Sequence, residues 1–240
     1  MTRLIRAEWR KLTTLRGPLA TVAAVLGLTA LITPIAMNEL GGATVERDAR
    51  EVLSIGPGLI ASLAFLLLGA MASAGEFQHR TVVPTYLITP LRSRVLGAKL
   101  IALGALGAVV SLIAVAISFP IVLAMAEPGI DIGGAGDLVT RALSLVAVGA
   151  LSAMIGVAVG ALLRHQTASL LAVLLWAFVF ERFLADFIPP VLPFSGMLSA
   201  TGMAGAGDDT GTLAALGVVA AWATGLALVA RVRSIGRDVT

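Results

Sequence analysis

The chain has 240 residues, of which 58% are hydrophobic and only 13% are charged, and its mean hydropathy is +0.98. Soluble domains of this length rarely contain so few charges, so an ordinary soluble domain is excluded on composition. Several apolar runs approach the roughly 20 residues that cross about 30 Å of hydrocarbon, which favours a multi-pass membrane protein. Cysteine is absent, which excludes disulfide bridges and thiolate chemistry.

Residues 1–17 have the pattern of an amphipathic helix. Its apolar sector contains Leu4, Ile5, Trp9, Leu12 and Leu15. Its opposite, basic sector contains Arg3, Arg6 and Arg10. We expect an interfacial helix with Trp9 at headgroup depth and its arginines on lipid phosphates or a partner, the alternative being a basic tail that only sets topology. Glu8 projects near the apolar sector, so it should have a basic partner from this helix or from residues 80–99.

Six apolar segments follow, and each is predicted to be a membrane-spanning helix. The predicted spans are residues 18–37, 55–74, 100–126, 142–163, 168–188 and 213–230. Gly17-Pro18 should bend the chain into the first span, which lacks the cleavage site of a secretory signal and is expected to be permanent. The predicted fold is therefore an all-α membrane protein, with residues 18–240 forming a single six-span domain.

Basic residues are distributed unevenly between the loops. With both termini, the 75–99 segment and the 164–166 turn in the cytoplasm, these regions hold thirteen of the seventeen Lys and Arg residues. The positive-inside rule therefore predicts cytoplasmic termini. The net charge of +3 reflects this topology and anionic headgroups, so membrane lipids are expected partners and nucleic acid is not. Fifteen arginines against two lysines suggest a bacterial source.

The connector at residues 76–99 is the longest polar and basic stretch between two apolar segments. Thr81 can cap a short helix with apolar residues at positions i, i+1, i+4 and i+5. These residues are Val82, Val83, Tyr86 and Leu87. Glu76 and Arg80 are four residues apart and would brace the start of this helix. The pattern predicts an amphipathic helix outside the membrane that contacts a partner.

Small residues repeat along the fourth predicted span. Ser152, Gly156 and Gly160 lie at intervals of four, with Gly149 beside them. This spacing lets helix backbones approach closely in lipid. The sequence predicts a close helix contact here, either within the bundle or across a dimer.

The outer end of the fifth predicted span carries Glu181, Arg182 and Asp186. These side chains could pair or hydrogen-bond and so tolerate partial immersion. Alternatively, the span ends earlier and a re-entrant segment returns through Pro189-Pro190. Both interpretations stay open from sequence.

The sequence offers no catalytic, cofactor or metal residues. It has no G-x-x-x-x-G-K-[ST] motif for a nucleotide and no series of ionisable residues in mid-span for ion coupling. Its two histidines are only weak evidence for a metal-binding site. We therefore expect a protein that is not an enzyme, and any transport must draw energy from another subunit.

The connector resembles the E-x-x-x-G-T, short helix, P-x-x-R, Ala-Lys pattern of type-2 ABC transporter permeases. The matching positions are Glu76, Arg80-Thr81, Pro90, Arg94 and Ala98-Lys99. Arg80 stands where many relatives have Gly, which puts a glycine-dependent turn there in doubt. The resemblance extends to the N-terminal helix with Glu8-Trp9-Arg10-Lys11, to the six spans and to the internal termini.

This resemblance implies the permease subunit of a bacterial ABC exporter in the plasma membrane. Two permeases, identical or different, would assemble with two copies of an ATPase subunit and move an apolar or amphipathic substrate. The connector would be the coupling helix that docks on the ATPase. The residues so implied are Glu76, Arg80, Thr81, Val82, Val83, Tyr86, Leu87, Arg92 and Arg94. The alternative is a non-transporting membrane anchor or immunity protein.

Overall fold

The structure is a computed structural model, and it describes residues 1–39, 52–79, 92–125, 135–184, 192–201 and 211–236. These residues are almost entirely helical, and no strand occurs among them. The predicted all-α class is confirmed.

Eight helices are present in the described ranges. The first five are α1 (Thr2–Thr14), α2 (Arg16–Glu39), α3 (Val52–Gln78), α4 (Arg92–Met125) and α5 (Ala135–Leu163). Helix α6 runs through Gln166–Leu175, a π turn at Trp176–Phe180 and Glu181–Leu184. The last two are α7 (Pro193–Thr201) and α8 (Thr212–Gly236).

Five helices, α2, α3, α4, α5 and α8, are long and apolar enough to cross a membrane. They overlap five of the predicted spans, although α4 and α5 begin before the predicted starts at residues 100 and 142. The fifth predicted span corresponds to α6, which is shorter and is interrupted by its π turn. The architecture is that of a helical, multi-pass membrane protein.

Helix α5 lies at the centre of the bundle and packs against α3, α4 and α8. Its contact with α3 is the most extensive, and glycines on both helices remove the side chains between the backbones. A Cβ atom at Gly156 would collide with the carbonyl of Leu66, and one at Gly160 with the carbonyl of Ala70. Gly69 of α3 meets the carbonyl of Ala153 in the same way. We call this contact the α3–α5 seam.

The remaining small residues of α5 face other helices. A Cβ at Gly149 would collide with the Ser111 hydroxyl of α4. The Ser152 hydroxyl donates to the carbonyl of Val148 at 2.7 Å and lies 3.4 Å from the sulfur of Met197 in α7. The sequence left open whether these residues pack within the bundle or across a dimer, and the structure places all four inside the bundle.

One end of the bundle carries most of the positive charge. The end of α3 meets the turn between α5 and α6. There the backbone N–H of Gln166 donates a hydrogen bond to the side-chain Oε1 of Gln78 at 3.0 Å. The guanidinium of Arg164 lies 5.1 Å from the ring centre of Phe77. This end also holds α1, the start of α4 and the end of α8, so eleven of the thirteen described Lys and Arg residues lie here. We call it the basic end.

Candidate functional site

Helix α1 packs against α4 and α2 at the basic end. Its buried residues are Glu8 and Leu12, while Arg3, Arg6 and Arg10 are exposed. The bend expected at Gly17-Pro18 is two residues too late, because Leu15 is extended (φ −80°, ψ 140°) and α2 begins at Arg16. Pro18 then lies in the first turn of α2, where a missing amide proton costs little.

Four charged side chains meet where α1 crosses the end of α3 and the start of α4. We call Glu8, Lys11, Glu76 and Lys99 the charge cluster. Lys11 Nζ donates to Glu8 Oε1 at 2.6 Å and to Glu76 Oε1 at 2.9 Å. Lys99 Nζ lies 3.2 Å from Glu8 Oε2 and 2.8 Å from Glu76 Oε1. Each lysine therefore bridges both carboxylates.

The charge cluster is buried unevenly. Glu8 is 6% exposed and Lys99 is 5% exposed, whereas the Lys11 side chain is 38% exposed. Isolated charges cost several kcal/mol when they leave water, so such groups are found paired. Two carboxylates and two ammonium groups balance formally. Removing one of the four side chains would leave an unbalanced charge near the buried Glu8 and Lys99.

Both lysines of the chain belong to this cluster, although arginine outnumbers lysine fifteen to two. An ammonium group is compact and carries three donors that can point in different directions, whereas a guanidinium is a wide planar fork. The third donor of Lys99 reaches the carbonyl of Ala72 at 3.3 Å. The geometry therefore accounts for lysine at these two positions.

The half-exposed Lys11 remains charged at neutral pH. Burial disfavours its ammonium form, but the hydrogen bonds to Glu8 and Glu76 outweigh burial and raise its pKa above the ordinary value. Because the pKa is raised, the ion pairs of Lys11 stabilise the fold below the ordinary lysine pKa. That contribution is lost only as the pH rises through the raised value.

The prediction that Glu8 has a basic partner is confirmed, with Lys11 and Lys99 as the partners. Sequence reasoning did not find the cluster as a unit, although the rarity of lysine was a usable signal. Trp9 and Arg94 are exposed, and Arg92 begins α4. The other predicted coupling residues lie outside the described residues, so the short helix stays a prediction. They are Arg80, Thr81, Val82, Val83, Tyr86 and Leu87.

A second feature is an apolar cavity of about 250 Å³ between α5, α6, α7 and α8. Aromatic side chains form much of its wall, and the rings of Trp176 and Trp222 lie 6.0 Å apart between centroids. The other lining residues include Leu66, Ile155, Val173, Phe194 and Met197. All the lining residues are apolar or aromatic, so the cavity suits a hydrophobic group.

The buried carboxylate of Glu181 lies at the start of α7. Its Oε1 accepts hydrogen bonds from the backbone amide of Ser195 and from the Ser195 hydroxyl, the latter at 3.1 Å. The Ser195 amide belongs to the first turn of α7, where backbone N–H groups have no hydrogen-bond partner within the helix. Glu181 is therefore hydrogen-bonded through Oε1, as one sequence interpretation required, whereas its buried Oε2 has no hydrogen-bond partner among the described residues. The chain also returns into the bundle, since α7 packs against α8 and α5.

No protein-family model and no curated protein matches this chain. Within the described residues, no group of three or more His, Asp or Glu side chains is placed to hold a metal ion.

Proposed function

We propose that this chain is the permease subunit of a bacterial ABC exporter. It forms six spans in the plasma membrane, with α6 as the fifth, and both termini are cytoplasmic. Two permeases work with two copies of a separate ATPase subunit. The chain itself has no enzymatic activity and moves an apolar or amphipathic substrate.

One observation carries the proposal: the charge cluster joins both flanks of the connector to the N-terminal helix. Glu76 lies in the last turn of α3 and Lys99 in the second turn of α4. On α1, Lys11 binds Glu76 and Glu8 binds Lys99. A force on the connector between α3 and α4 would therefore act on three helices together.

This arrangement suits a subunit that receives mechanical work. When the ATPase pair closes on ATP, it pushes on the connector, and the charge cluster passes the displacement to α1, α3 and α4. The α3–α5 seam then carries the motion to the central helix, because closely packed backbones move as a unit. The spans rock between inward-open and outward-open arrangements.

The substrate class is supported by the cavity beside α6. Its aromatic and aliphatic wall would accept a hydrophobic group and would disfavour an ion or a sugar. The cavity lies within one subunit. A hydrophobic group of the substrate would enter it on first leaving the lipid.

The orientation is tested by cysteine labelling, for which the cysteine-free chain gives a clean background. Val45→Cys, Gly133→Cys and Ala206→Cys should react with an impermeant thiol reagent on intact cells, and His79→Cys should not. The reason is that the basic end stays in the cytoplasm. Reversed labelling would refute the orientation.

The central experiment purifies the chain in mild detergent from its host, identifies a co-purifying ABC ATPase, and reconstitutes the pair in liposomes. Glu76→Gln keeps the side-chain shape but unbalances the charge cluster, so stimulated ATP hydrolysis should fall about tenfold. Glu39→Gln makes the same chemical change at an exposed helix end far from the cluster and should leave hydrolysis unchanged.

Two outcomes would defeat the proposal. If Glu76→Gln hydrolyses ATP like the parent chain, the connector is only a topogenic loop. If no ATPase binds at all, the alternative of a non-transporting anchor or immunity protein is the better account.

A further inference from the structure

The apolar cavity between α5, α6, α7 and α8 has aromatic side chains from three of these helices in its wall. Trp176 comes from α6, Phe194 from α7 and Trp222 from α8. The other described lining side chains are aliphatic or methionine, and none of the described lining side chains is charged. A ligand in this cavity would therefore meet both aromatic rings and aliphatic groups.

The aromatic rings of the wall are in contact with further rings. The centroids of Trp176 and Trp222 lie 6.0 Å apart, with an angle of 56° between the ring planes. The ring of Phe180 lies 6.4 Å from Trp176, and that of Phe178 lies 6.0 Å from Phe194. Tilted ring pairs at such distances are mutually attractive. The wall is therefore ordered before a ligand binds, which lowers the entropic cost of binding.

The cavity opens on the outer surface of α6. Ala172 and Trp176 lie one helical turn apart, and both line the cavity while being exposed. Their exposed neighbours include Leu175 and Phe178, so with α6 as the fifth span this surface faces lipid hydrocarbon. Trp176 also begins the π turn, and such turns occur frequently at functional sites. A ligand would enter from the lipid, where uncharged compounds are favoured over ions.

The size of the cavity limits the ligand. Its volume is about 250 Å³. A dry apolar cavity of roughly 150 Å³ can hold benzene, so the larger volume suits a compact molecule of about two fused rings. A lipid acyl chain is too long for such a compact space and would leave most of its length outside.

We propose that the apolar cavity binds an uncharged aromatic compound of about two fused rings, and that such compounds are the substrate class of this subunit. The ligand packs in tilted or offset contact with the rings of Trp176, Phe194 and Trp222. Calling the ligand a substrate rests on the proposed export function, whereas the binding itself does not depend on an ATPase.

Three related probes separate the contributions of ring, shape and charge. Naphthalene has the proposed chemistry. Decalin has the same carbon skeleton but is saturated, so it can fill the cavity without aromatic contacts. Naphthoate adds a carboxylate to the aromatic rings, and that charge would lose its hydration among apolar side chains. The order of affinity should therefore be naphthalene, then decalin, then naphthoate.

The test is equilibrium dialysis of radiolabelled naphthalene against nanodiscs that contain the full chain, with empty nanodiscs of the same lipid as the blank. Binding above the blank should be saturable. Decalin should displace naphthalene about tenfold less effectively than unlabelled naphthalene does, because each aromatic contact contributes a factor of several beyond burial. Naphthoate should not compete measurably.

One variant tests whether the cavity is the binding site. Ala177 is buried and lines the cavity, so Ala177→Leu should fill it and weaken naphthalene binding about tenfold or more. Ala168→Leu is the matched control, because Ala168 is exposed on the same helix and is not among the lining residues. The control should bind naphthalene like the parent chain.

A second variant tests the aromatic wall while keeping it apolar. Trp176→Leu should reduce the preference for naphthalene over decalin by a factor of about three or more, since one ring contact is lost. The matched control is Phe183→Leu, which removes a 73% exposed ring of α6 that does not line the cavity. A purely structural role of Trp176 would weaken both ligands equally and would leave the preference unchanged.

Three results would overturn the inference. They are equal affinities of naphthalene and decalin, binding no greater than that of empty nanodiscs, and unchanged binding in both Ala177→Leu and Trp176→Leu. If Ala177→Leu fails to fold, Trp176→Leu and the three probes on the parent chain decide the matter.

The outcome is separable from that of the export proposal. If naphthalene binds as expected but no ATPase co-purifies, the export proposal fails and the aromatic site stands. If an ATPase is coupled through Glu76 but naphthalene does not bind, the substrate class alone is wrong. With both in place, naphthalene should stimulate ATP hydrolysis in liposomes more strongly than decalin.

Discussion

The chain buries carboxylates at two places and surrounds them with different hydrogen-bond donors. In the charge cluster, Glu8 and Glu76 are met by the side chains of Lys11, which lies in the same helix as Glu8, and of Lys99. At the start of α7, Glu181 is met by the backbone amide and hydroxyl of Ser195, only 14 positions away. The first arrangement joins three helices through side chains, and the second completes one short helix.

This difference teaches where the fold is vulnerable. Backbone amides at a helix start are present whatever the side chains are, so the environment of Glu181 survives most substitutions. The charge cluster is instead held mainly by contacts between charged side chains. Its free energy therefore depends on charge balance, and a single substitution can turn a stabilising contact into an unpaired buried charge.

The largest effect is expected at Lys99, the more deeply buried of the two lysines. We expect Lys99→Met to destabilise the protein by about 3 kcal/mol, because the two carboxylates lose their buried partner at a place where water cannot replace it. Thermal unfolding in detergent measures this loss. The double variant Glu76→Gln/Lys99→Met restores the balance and should be more stable than Lys99→Met alone; if the two losses simply add, charge balance is not what holds the cluster.

The α3–α5 seam connects the cluster to the central helix, and overpacking it should be the next largest effect. Gly156→Leu forces a side chain against the backbone of α3 and should cost about 2 kcal/mol. Gly217→Leu is the matched control, because a Cβ there has no neighbour within 4 Å. Equal melting temperatures for the two variants would mean that the glycine spacing is incidental.

At the other carboxylate we expect a smaller effect. Glu181→Ala removes the cap of α7 and should cost about 1 kcal/mol, a typical value for a lost helix cap. Glu181→Gln retains an acceptor oxygen and should cost less. Unfolding temperatures of the pair check this order, and a loss from Glu181→Ala larger than that from Lys99→Met would reverse the comparison.

The smallest effect is expected at Lys11, whose side chain is 38% exposed. Water and salt can replace much of its charge, so Lys11→Met should cost about 1 kcal/mol or less. Raising the salt concentration should narrow the difference between Lys11→Met and the parent chain, since exposed pairs are screened. A loss as large as that of Lys99→Met would contradict the role assigned to burial.

Much of the fold follows from periodicity and length. The amphipathic α1 and the long apolar helices were predictable because each follows from a local pattern in the sequence. The basic partner of Glu8 was predictable because burying an unpaired carboxylate costs free energy. The extended residue Leu15 was not predictable, since an ordinary leucine carries no signal for a break. Helix α7 was also missed as a helix, because nine residues with mixed polarity fall below the length that periodicity can detect.

The charge cluster could be identified only from the tertiary structure. Glu76 and Lys11 lie 65 positions apart, and only the crossing of α1 over the bundle brings them together. Sequence reasoning named Glu8 and Glu76 individually, but it could not bring them together.

The scarcity of lysine also gives the molecule a built-in chemical reporter. Amine-reactive reagents can modify only Lys11, Lys99 and the chain terminus, and the Lys99 side chain is 6% exposed and held by hydrogen bonds. Acylation requires a neutral, accessible amine, so the rate at which Lys99 is acylated in the folded chain measures how often this part of the protein opens. Mass spectrometry of the single peptide that contains Lys99 would then follow that opening without any substitution in the chain.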